Sequence, residues 1–203
     1  MTISLEINAL PYALAAEDEA STLSRFARLR SRPDAVLLDS GQPSLAGGRF
    51  DIISSDPLAV LEQGPHGGKL TGPLPESMRD LSQFSEALER LARLPVIEAQ
   101  RQLLTLLPQT LAGEELARHD LSAEDLPFIA GLLGYWSYDF GHALEDLPAT
   151  TEDDIALPWA RLGLYDWALI SDHQRQQSWL IASPQRRRQV LEWLEQPAPT
   201  SAD

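Results

Sequence analysis

The sequence predicts an α+β protein in which runs of β-strands are separated by helices. Segments with period-2 alternation or short apolar runs, which are typical of strands, occur in groups. Segments whose apolar residues keep helical spacing lie between those groups. The resulting order, β-α-β-β-β-α-α-β-β-β-α, lacks the strict alternation of strand and helix that is typical of a doubly wound parallel sheet.

The composition is that of an ordinary globular protein, with 43% hydrophobic and 23% charged residues in a chain of 203. A chain of this length can bury one large core or two small ones. The formal net charge of −14 argues against unaided binding to nucleic acid or to an anionic membrane, because affinity for phosphate groups is mostly cationic. We therefore expect neither kind of partner.

The sequence predicts neither secretion nor membrane insertion. It contains no cysteine, which excludes disulfides, thiol catalysis and cysteine-based metal sites. The amino terminus has no basic region, and its apolar stretch is interrupted by Glu6, Asn8 and Pro11, unlike a signal peptide. No window approaches the roughly 18 to 20 apolar residues that span a bilayer. We predict a cytoplasmic protein.

The amino-terminal part begins with a predicted strand at residues 3–7, where apolar and polar residues alternate. A helix is predicted at 17–30, because acids at its start and arginines at its end suit the helix dipole. The apolar run at 35–38 predicts a buried strand. The residues expected on the inward face of the helix are Ala20, Leu23, Phe26 and Ala27.

The middle of the chain begins with predicted strands at 49–54 and 58–62. A glycine-rich hairpin turn at 64–68 leads into a further strand at 69–71. Leucines at helical spacing predict helices near 81–91 and 103–111. Residues 113–125 are acidic and are expected to form a surface connection.

The most distinctive stretch runs from residue 127 to 175, where apolar runs, glycines and aromatics alternate with isolated acids. We interpret it mainly as core. A buried strand is predicted at 128–137, a short helical or irregular stretch at 138–145, and strands at 161–171 and 178–182, the last two joined by a polar turn at 172–177. Ser183 and Pro184 then form a favourable helix start. The residues expected to pack inward from that helix are Val190, Leu191 and Leu194.

The connection at residues 39–51 carries the strongest candidate binding site. Ser40 follows the end of a predicted strand, and Gly47, Gly48 and Arg49 precede the next one. Glycines allow a ligand to approach the backbone, whose N–H groups can bind a carboxylate. Asp39 and Ser40 could accept hydrogen bonds from an ammonium group. The alternative interpretation is a plain connection between two strands, with a surface pair of arginine and aspartate.

Other candidate sites are weaker. The histidines are not spaced as metal ligands, and His173 is interpreted as a solvated turn residue. The run GPHGGKL has neither the spacing nor the hydroxyl of a phosphate-binding loop. An aromatic cluster is interpreted as core packing rather than a stacking platform. Its members are Tyr135, Trp136, Tyr138 and Phe140.

Three segments closely resemble the amino-terminal domain of the enzymes that aminate chorismate. They are LLDSG…GGRFDIISSDP at 37–57, DLPFIAGLLGYWSYDFGHALEDLP at 125–148 and DIALPWARLGLYDWALISDHQ at 154–174. The first segment is most similar to the branch of aminodeoxychorismate synthase component I, also called para-aminobenzoate synthase. Anthranilate synthases tend to show LLES and a GRYS-type motif at that place.

The resemblance implies mostly antiparallel β-sheets packed as a sandwich with flanking helices, in one domain at 1–195 followed by a linker or tail at 196–203. In that family the chorismate site and the Mg²⁺-binding acids lie in a following domain with P-I-K-G-T and G-x-x-S-G-A-P-K type motifs. None of those motifs occurs here. The resemblance therefore implies no catalytic residue, metal or cofactor in this chain, with Mg²⁺ held in the absent chorismate-binding domain.

The resemblance also implies an amino-acid pocket, which tryptophan occupies in some members of the family. Its contacts in this chain would be Asp39, Ser40, Gly47, Gly48, Arg49 and Phe50. The parent enzyme would convert chorismate to 4-amino-4-deoxychorismate for para-aminobenzoate and folate synthesis, with ammonia from a glutamine amidotransferase subunit. The chain alone is expected to be inactive.

Two alternatives stay open on the sequence. The chain could belong to an anthranilate synthase component I, which serves tryptophan synthesis, or it could be a stand-alone amino-acid-binding module. If a second domain docks on this one, an exposed apolar face is expected at the docking surface.

Overall fold

A computed structural model describes residues 4–42, 47–65, 67–71, 90–91, 93–108, 110–145, 148 and 155–199. The chain divides into two compact units. The first unit consists of Met1–Asp56, Leu107–Gly131 and Tyr165–Asp203, and the second consists of Pro57–Leu106 and Leu132–Leu164. Nearly all of the helix predicted near 81–91 lies outside the described residues. The predicted domain at 1–195 and the tail at 196–203 stay predictions.

Runs of strands are separated by helices, as the sequence predicts, although the helix predicted near 103–111 lies at Val96–Leu104 because Pro95 precedes its start. The strands are β1 (Glu6–Leu10), β2 (Val36–Leu38), β3 (Phe50–Ser54), β4 (Ala59–Gly64), β5 (Gly67–Thr71), β6 (Gly131–Trp136), β7 (Ala160–Tyr165), β8 (Ala168–Asp172) and β9 (Gln177–Ala182). The α-helices are α1 (Thr22–Leu29), α2 (Val96–Leu104), α3 (Gly113–Arg118) and α4 (Pro184–Glu195). 3₁₀ segments occupy Ala123–Asp125 and Tyr138–Ala143. Antiparallel pairing within the sheets, together with the flanking helices, confirms the predicted α+β class.

The sheet of the first unit has five strands in the order β1-β9-β8-β3-β2. Its register places Leu10 opposite Ser178, Ser178 opposite Ser171, and Ser171 opposite Asp51. Directly opposed residues share one face of a sheet. That face therefore carries the polar side chains of Ser178, Ser171 and Asp51 in a row across three strands.

The rest of that face is the hydrophobic core of the first unit. Strands β3, β8 and β9 and helices α1 and α4 all contribute side chains to it. Apolar burial of this kind supplies most of the driving force for folding. The buried members are Leu29, Ile53, Trp167, Leu169, Leu180, Ala182 and Val190.

Helix α4 forms as the sequence predicts. Ser183 is the N-cap, and its hydroxyl accepts a hydrogen bond from the Arg186 N–H at 3.3 Å. Pro184 occupies the first helical position, where its missing N–H has no intrahelical partner to lose. Val190 is fully buried and Leu191 packs against the core, as expected.

Helix α1 differs from its prediction in both its start and its inward face. It begins at Thr22 rather than at residue 17, because Ser21 caps it by accepting from the Ser24 N–H at 3.2 Å. The prediction that Leu23 faces inward is wrong, since that side chain is 50% exposed. The buried face instead contains Arg25, and the hydroxyl of Thr22 donates to Ser171 at 3.0 Å.

Three strand predictions also need correction. Strand β1 lies at Glu6–Leu10 rather than 3–7, where it pairs with β9. Strand β2 is only partly buried, because it is at the edge of the sheet. The single strand predicted at 161–171 is two strands in different sheets, β7 and β8, separated by Asp166 and Trp167.

Polar and aromatic contacts hold the chain at the break between β7 and β8. The indole N–H of Trp167 donates to the Ser55 carbonyl at 2.8 Å, and Asp166 pairs with Arg186 at 3.0 Å. The Ser54 hydroxyl donates to the Trp167 carbonyl at 2.8 Å. An apolar run alone does not show where a chain leaves one sheet for another.

The predicted surface connection at 113–125 is wrong, because part of it is helical and buried. Glu115 of α3 is 7% exposed and accepts a hydrogen bond from the Ile7 N–H at 2.7 Å. Ile7 lies in β1, an edge strand, whose outer N–H groups have no neighbouring strand to pair with. The glutamate satisfies one of these donors.

The second unit contains a four-stranded sheet in the order β5-β4-β7-β6. Strands β4 and β5 form the predicted hairpin, with Gly64 opposite Gly67. At Gly134 of β6, φ is +157° and an added Cβ would lie 2.0 Å from the Arg161 carbonyl oxygen of β7. The two backbones can therefore approach closely only because residue 134 has no side chain.

Strand β6 is shorter and more exposed than predicted. Tyr135 is 36% exposed, Trp136 51% and Tyr138 100%, so the interpretation of these aromatics as core is wrong. Tyr135 and Trp136 end β6, which is at an edge of its sheet, and Tyr138 begins the following 3₁₀ segment. Exposed apolar side chains are thus present, as expected, but their role as a docking surface stays a prediction. Further exposed apolar residues of this unit are Leu144, Ile155 and Leu157.

None of the helices within the described ranges is both long enough and apolar enough to cross a membrane.

Replacing Trp167 with phenylalanine tests the packing at the β7–β8 break. We expect W167F to lower the free energy of unfolding by about 2 to 4 kcal/mol, because it shrinks a fully buried side chain and leaves the Ser55 carbonyl unpaired. Urea unfolding followed by circular dichroism measures this change. The matched variant W136F, at a half-exposed tryptophan, should stay within about 0.5 kcal/mol of wild type. Equal losses in both variants would contradict this account.

Candidate functional site

The connection from β2 to β3 is organised around the carboxylate of Asp51. Asp51 Oδ1 accepts two hydrogen bonds from Ser40, one from the backbone N–H at 2.9 Å and one from the hydroxyl at 2.9 Å. A serine hydroxyl has a single proton to donate. The Ser40 hydroxyl is therefore left with lone pairs alone, and can only accept a hydrogen bond from a ligand.

The two predicted glycines of the connection have different roles. A Cβ on Gly48 would lie 2.3 Å from the Ser40 carbonyl oxygen and 2.8 Å from the Ser40 hydroxyl oxygen. A Cβ on Gly47 would meet no atom within 4 Å. The carbonyl of Gly48 also accepts from the Gln42 side chain at 2.8 Å. Of these two positions, only residue 48 must be glycine, because a side chain there would overlap Ser40.

Asp39 lies at the exposed edge of the same connection. Its Oδ1 accepts from the Gly41 N–H at 2.6 Å, which forms a tight local turn. Gly41 has φ of +81°, a conformation that favours glycine. Asp39 is exposed, and among the described residues its Oδ2 has no hydrogen-bond partner.

Arg49 is engaged in an ion pair. Its guanidinium binds Asp172 through Nη2 at 2.9 Å and Nε at 3.2 Å, and lies 3.8 Å from Asp125. The guanidinium carbon also lies 4.4 Å from the centre of the Phe50 ring. The hydrogen bond to Asp172 raises the pKa of Arg49 despite partial desolvation. This is the arginine–aspartate pair of the alternative interpretation, although the aspartate is fully buried rather than on the surface.

His173 is buried, so the interpretation of it as a solvated turn residue is wrong. Its side chain is 7% exposed, and Nδ1 lies 2.9 Å from the Tyr12 hydroxyl. Nε2 lies 2.8 Å from Asp51 Oδ2, although the approach is out of line for a hydrogen bond. The His173 backbone N–H donates to the Arg49 carbonyl at 2.8 Å. The β8–β9 turn is thus tied to the β2–β3 connection.

These contacts set the charge of the cluster. Burial alone would raise the pKa of Asp51, but the hydrogen bonds from Ser40 and the neighbouring His173 outweigh it, so the pKa lies below its ordinary value. Burial, Asp51 and Asp172 together raise the pKa of Tyr12, which favours the neutral phenol. Of these two groups, Asp51 is therefore the one that is charged at neutral pH.

Asp172 plays a second structural role at the β8–β9 turn. Its Oδ1 accepts from the backbone N–H groups of Gln174 at 2.9 Å and Arg175 at 3.1 Å. The Arg175 guanidinium binds Asp125 at 2.7 Å. Hydrogen bonds from Ser122 and the charge of Arg175 hold the pKa of Asp125 below its ordinary value. The β8–β9 turn and the 3₁₀ segment at Ala123–Asp125 are therefore linked by an ion pair.

The six predicted site residues all lie in this connection, where their contacts differ. Asp39 and Ser40 present acceptors, Gly48 permits the packing, Gly47 meets no atom within 4 Å, and Arg49 pairs with Asp172 beside the Phe50 ring. Their role in ligand binding stays a prediction. Asp51, His173 and Tyr12, which also take part in these contacts, were not predicted from the sequence. Asp51 carried a usable signal, because it is an acid at an inward position of the predicted strand RFDIIS.

A cavity of about 210 Å³ in the first unit is the main alternative site. It lies beside α3 and the segment that leads into β6. None of the described residues that line it is titratable. Its lining consists of Thr110, Leu111, Leu116, Ala123, Leu126, Pro127, Phe128, Ile129 and Ala130.

Comparison with known proteins supports the resemblance seen in the sequence. The chorismate binding enzyme family matches residues 78–202. Aminodeoxychorismate synthase component 1 of Klebsiella aerogenes is 38% identical over 183 residues, which cover 87% of this chain and 34% of that protein. The component 1 of Escherichia coli strain K12 is 36% identical over 150 residues, 74% of this chain and 28% of that protein. The resemblance is thereby confirmed.

The chain spans about a third of the length of these curated relatives. A solved structure, the anthranilate synthase component I from Streptococcus pneumoniae TIGR4, superposes with a TM-score of 0.50 at 19% identity. That likeness covers 94% of this chain and 38% of the other. It shows a shared fold.

The two adjacent glycines offer a matched test of the Ser40–Gly48 contact. We expect G48A to lower the free energy of unfolding by about 1 to 3 kcal/mol, because the new methyl group overlaps the Ser40 carbonyl. G47A, where the methyl group meets open space, should be close to neutral. Chemical denaturation of both variants measures the difference. A neutral G48A would show that the two segments are not in close contact.

The charge of Asp51 predicts a specific pH dependence of stability. Its pKa is lowered on folding, so its contribution is fully present above the ordinary aspartate pKa of about 3.9. The contribution is lost as the pH falls through the lower value in the folded protein. We expect D51N to cost about 1 to 2 kcal/mol at pH 7, and this difference from wild type to shrink below about pH 4.

Urea unfolding of wild type and D51N at a series of pH values measures this effect. The exposed Asp139 supplies the control, and D139N should differ little from wild type at any of these pH values. A D51N deficit that stays constant between pH 7 and pH 3 would show that the charge of Asp51 does not contribute to stability.

Proposed function

Because this chain belongs to the chorismate binding enzyme family, we propose that it forms the non-catalytic, amino-terminal part of an aminodeoxychorismate synthase component 1. The observation that carries this proposal is the similarity to the Klebsiella aerogenes component 1, at 38% identity over 87% of this chain. The whole enzyme would replace the C4 hydroxyl of chorismate with an amine and form 4-amino-4-deoxychorismate, for para-aminobenzoate and folate synthesis.

A glutamine amidotransferase subunit is the proposed partner, as the source of ammonia. The relatives are named component 1, which supports the existence of a second component. We place the complex in the cytoplasm, because a sequence without cysteine suits a reducing compartment.

The reacting groups would lie outside this part of the enzyme. Among the described residues, no group of three or more histidine, aspartate or glutamate side chains lies together. We assign the Mg²⁺ ion and the chorismate site to the chorismate-binding domain of the whole enzyme.

We further propose that the connection from Asp39 to Phe50 holds an amino acid, with tryptophan as the first candidate. Two features support this. Asp39 and Ser40 present oxygen acceptors beside a close glycine contact, and Asp51, Arg49 and Asp172 hold the connection in place. Side chains that are already held in place lose little conformational freedom when a ligand binds, which favours affinity.

A complementation assay tests the proposed role in catalysis. The Klebsiella aerogenes component 1 would be truncated to remove the residues equivalent to this chain, and the 203-residue chain would be added back with chorismate, ammonium and Mg²⁺. We expect neither piece alone to consume chorismate and the mixture to form 4-amino-4-deoxychorismate, detected by mass spectrometry. A G48A chain, whose loop is disturbed, should restore less activity than G47A.

Two results would change the proposal. Turnover by the 203-residue chain alone would place reacting groups within it. Formation of anthranilate by the mixture would assign the chain to the anthranilate synthase branch. A partial match supports this alternative, since the Synechocystis anthranilate synthase component I-like protein is 39% identical over 64 residues.

A further inference from the structure

We propose that a small monovalent anion, such as chloride, binds beneath helix α1, between the guanidinium of Arg25 and a row of three buried hydroxyl groups. The hydroxyl groups belong to Thr22, Ser171 and Ser178, and all four residues lie in the first unit. None of the six predicted site residues takes part, so this site is independent of the function proposed above. Arg25 is a buried cation without a counter-ion, and the hydroxyl groups beside it have a proton to spare.

The charge of Arg25 is held inside the protein. Arg25 lies on the inward face of α1 and is 5% exposed. Its Nη2 donates to the Pro11 carbonyl, whereas the buried Nη1 has no hydrogen-bond partner among the described residues. Within the described ranges no carboxylate forms an ion pair with Arg25, although Arg28 and Arg32 are paired. Since arginine stays protonated at neutral pH, a positive charge is buried here without a counter-ion.

The surroundings of Arg25 favour an anion. Burial and the neighbouring charge of Arg28 lower the pKa of Arg25 to about 10, and the charge of Asp18 offsets this in part. The sequence has no acidic residue between positions 20 and 33, so α1 supplies no carboxylate of its own. Buried charges in proteins are as a rule paired, because an unpaired one loses its hydration without compensation. A bound anion would supply the missing counter-charge.

The hydroxyl groups beneath α1 have a surplus proton. Thr22 precedes Arg25 by one turn on the same face of the helix, and its hydroxyl donates to Ser171 at 3.0 Å. The hydroxyls of Ser171 and Ser178 are 3.1 Å apart. Three hydroxyl groups carry three protons, and these two hydrogen bonds use two of them. Among the described residues the third proton has no acceptor.

Strand register brings the cation and the hydroxyl row together. Ser178 of β9 is opposite Leu10 of β1, and Arg25 holds the carbonyl of the next residue, Pro11. The cation and the Ser178 end of the row therefore lie at the same end of β1, and α1 covers both. An ion at this place can accept from the free N–H and from the surplus hydroxyl proton.

The acid that continues the hydroxyl row, Asp51, is not the counter-ion of Arg25. It lies at the other end of the row, opposite Ser171. One of its oxygens accepts both hydrogen bonds from Ser40, and the other lies 2.8 Å from His173 Nε2. The charge of Asp51 is compensated locally, which leaves Arg25 unpaired.

The chemistry of the site selects the class of ligand. Both groups that face it are donors, so the ligand must accept hydrogen bonds and has no need to donate. One cation balances one negative charge, which favours a monovalent ion over phosphate or sulfate. Arg25 and the three hydroxyl residues are each at most 6% exposed, so the ion must also be small. A halide ion meets all three conditions.

Thermal unfolding at constant ionic strength tests the site on the 203-residue chain. Sodium chloride would replace sodium gluconate, whose anion is too large for a closed site. We expect about 300 mM chloride to raise the unfolding temperature by about 3 °C or more and to approach saturation, because an ion that binds only the folded state stabilises it. An unfolding temperature that is the same in both salts would overturn the proposal.

Substitution of Arg25 identifies the cation. R25M keeps a long unbranched side chain but removes the charge and the free N–H, so the difference between the two salts should disappear. The matched control is R30M, which removes an exposed arginine at the end of the same helix and should keep the chloride effect. A chloride effect that persists undiminished in R25M would contradict the assignment to Arg25.

Bromide, a heavier halide, locates the site in the wild-type chain and covers the case in which R25M fails to fold. Crystals grown in sodium bromide should give an anomalous-scattering peak within hydrogen-bonding reach of Arg25 Nη1. Bromide peaks confined to the protein surface, with water alone beside Arg25, would show that no anion binds there.

Discussion

The β2–β3 connection depends on keeping one buried carboxylate, that of Asp51, charged. A buried charge is costly unless hydrogen bonds and nearby cations compensate it, and the cost can reach several kcal/mol. Ser40 supplies two donors and His173 lies against the other oxygen. The connection, the turn after β8 and the segment at Tyr12 are consequently all tied to this one group.

A second buried carboxylate, Asp172, lies at the same end of the β3–β8 pair. Its partner across the strands is Phe50, while Asp51 is opposite Ser171, so the two acids point to opposite faces of the sheet. Each has its own compensating groups, and Asp172 takes Arg49 together with the amides of its own turn. Arg49, although it is in the candidate site, therefore compensates the charge of Asp172 and not that of Asp51.

Much of the fold could be read from local patterns, because capping, turns and periodicity involve neighbouring residues. Ser183–Pro184 started a helix as expected, and the Gly64–Gly67 hairpin formed. Local patterns did not predict which side chains are buried where a residue far away in the sequence supplies the contact. Leu23 is exposed and Arg25 buried, because the start of α1 is set by the Ser21 cap and by the Thr22–Ser171 bond, not by apolar spacing.

The sequence by itself determined the α+β class, the family and the connection that carries the candidate site, since all three are recorded in short motifs and their order. Only the tertiary structure decided what each residue of that connection does. Arg49 and Asp172 are 123 positions apart, and Tyr12 and His173 are 161 apart. Such pairs are created by strand register and sheet order, which no local pattern specifies. For the same reason His173 is buried and the run at 161–171 is divided between two sheets.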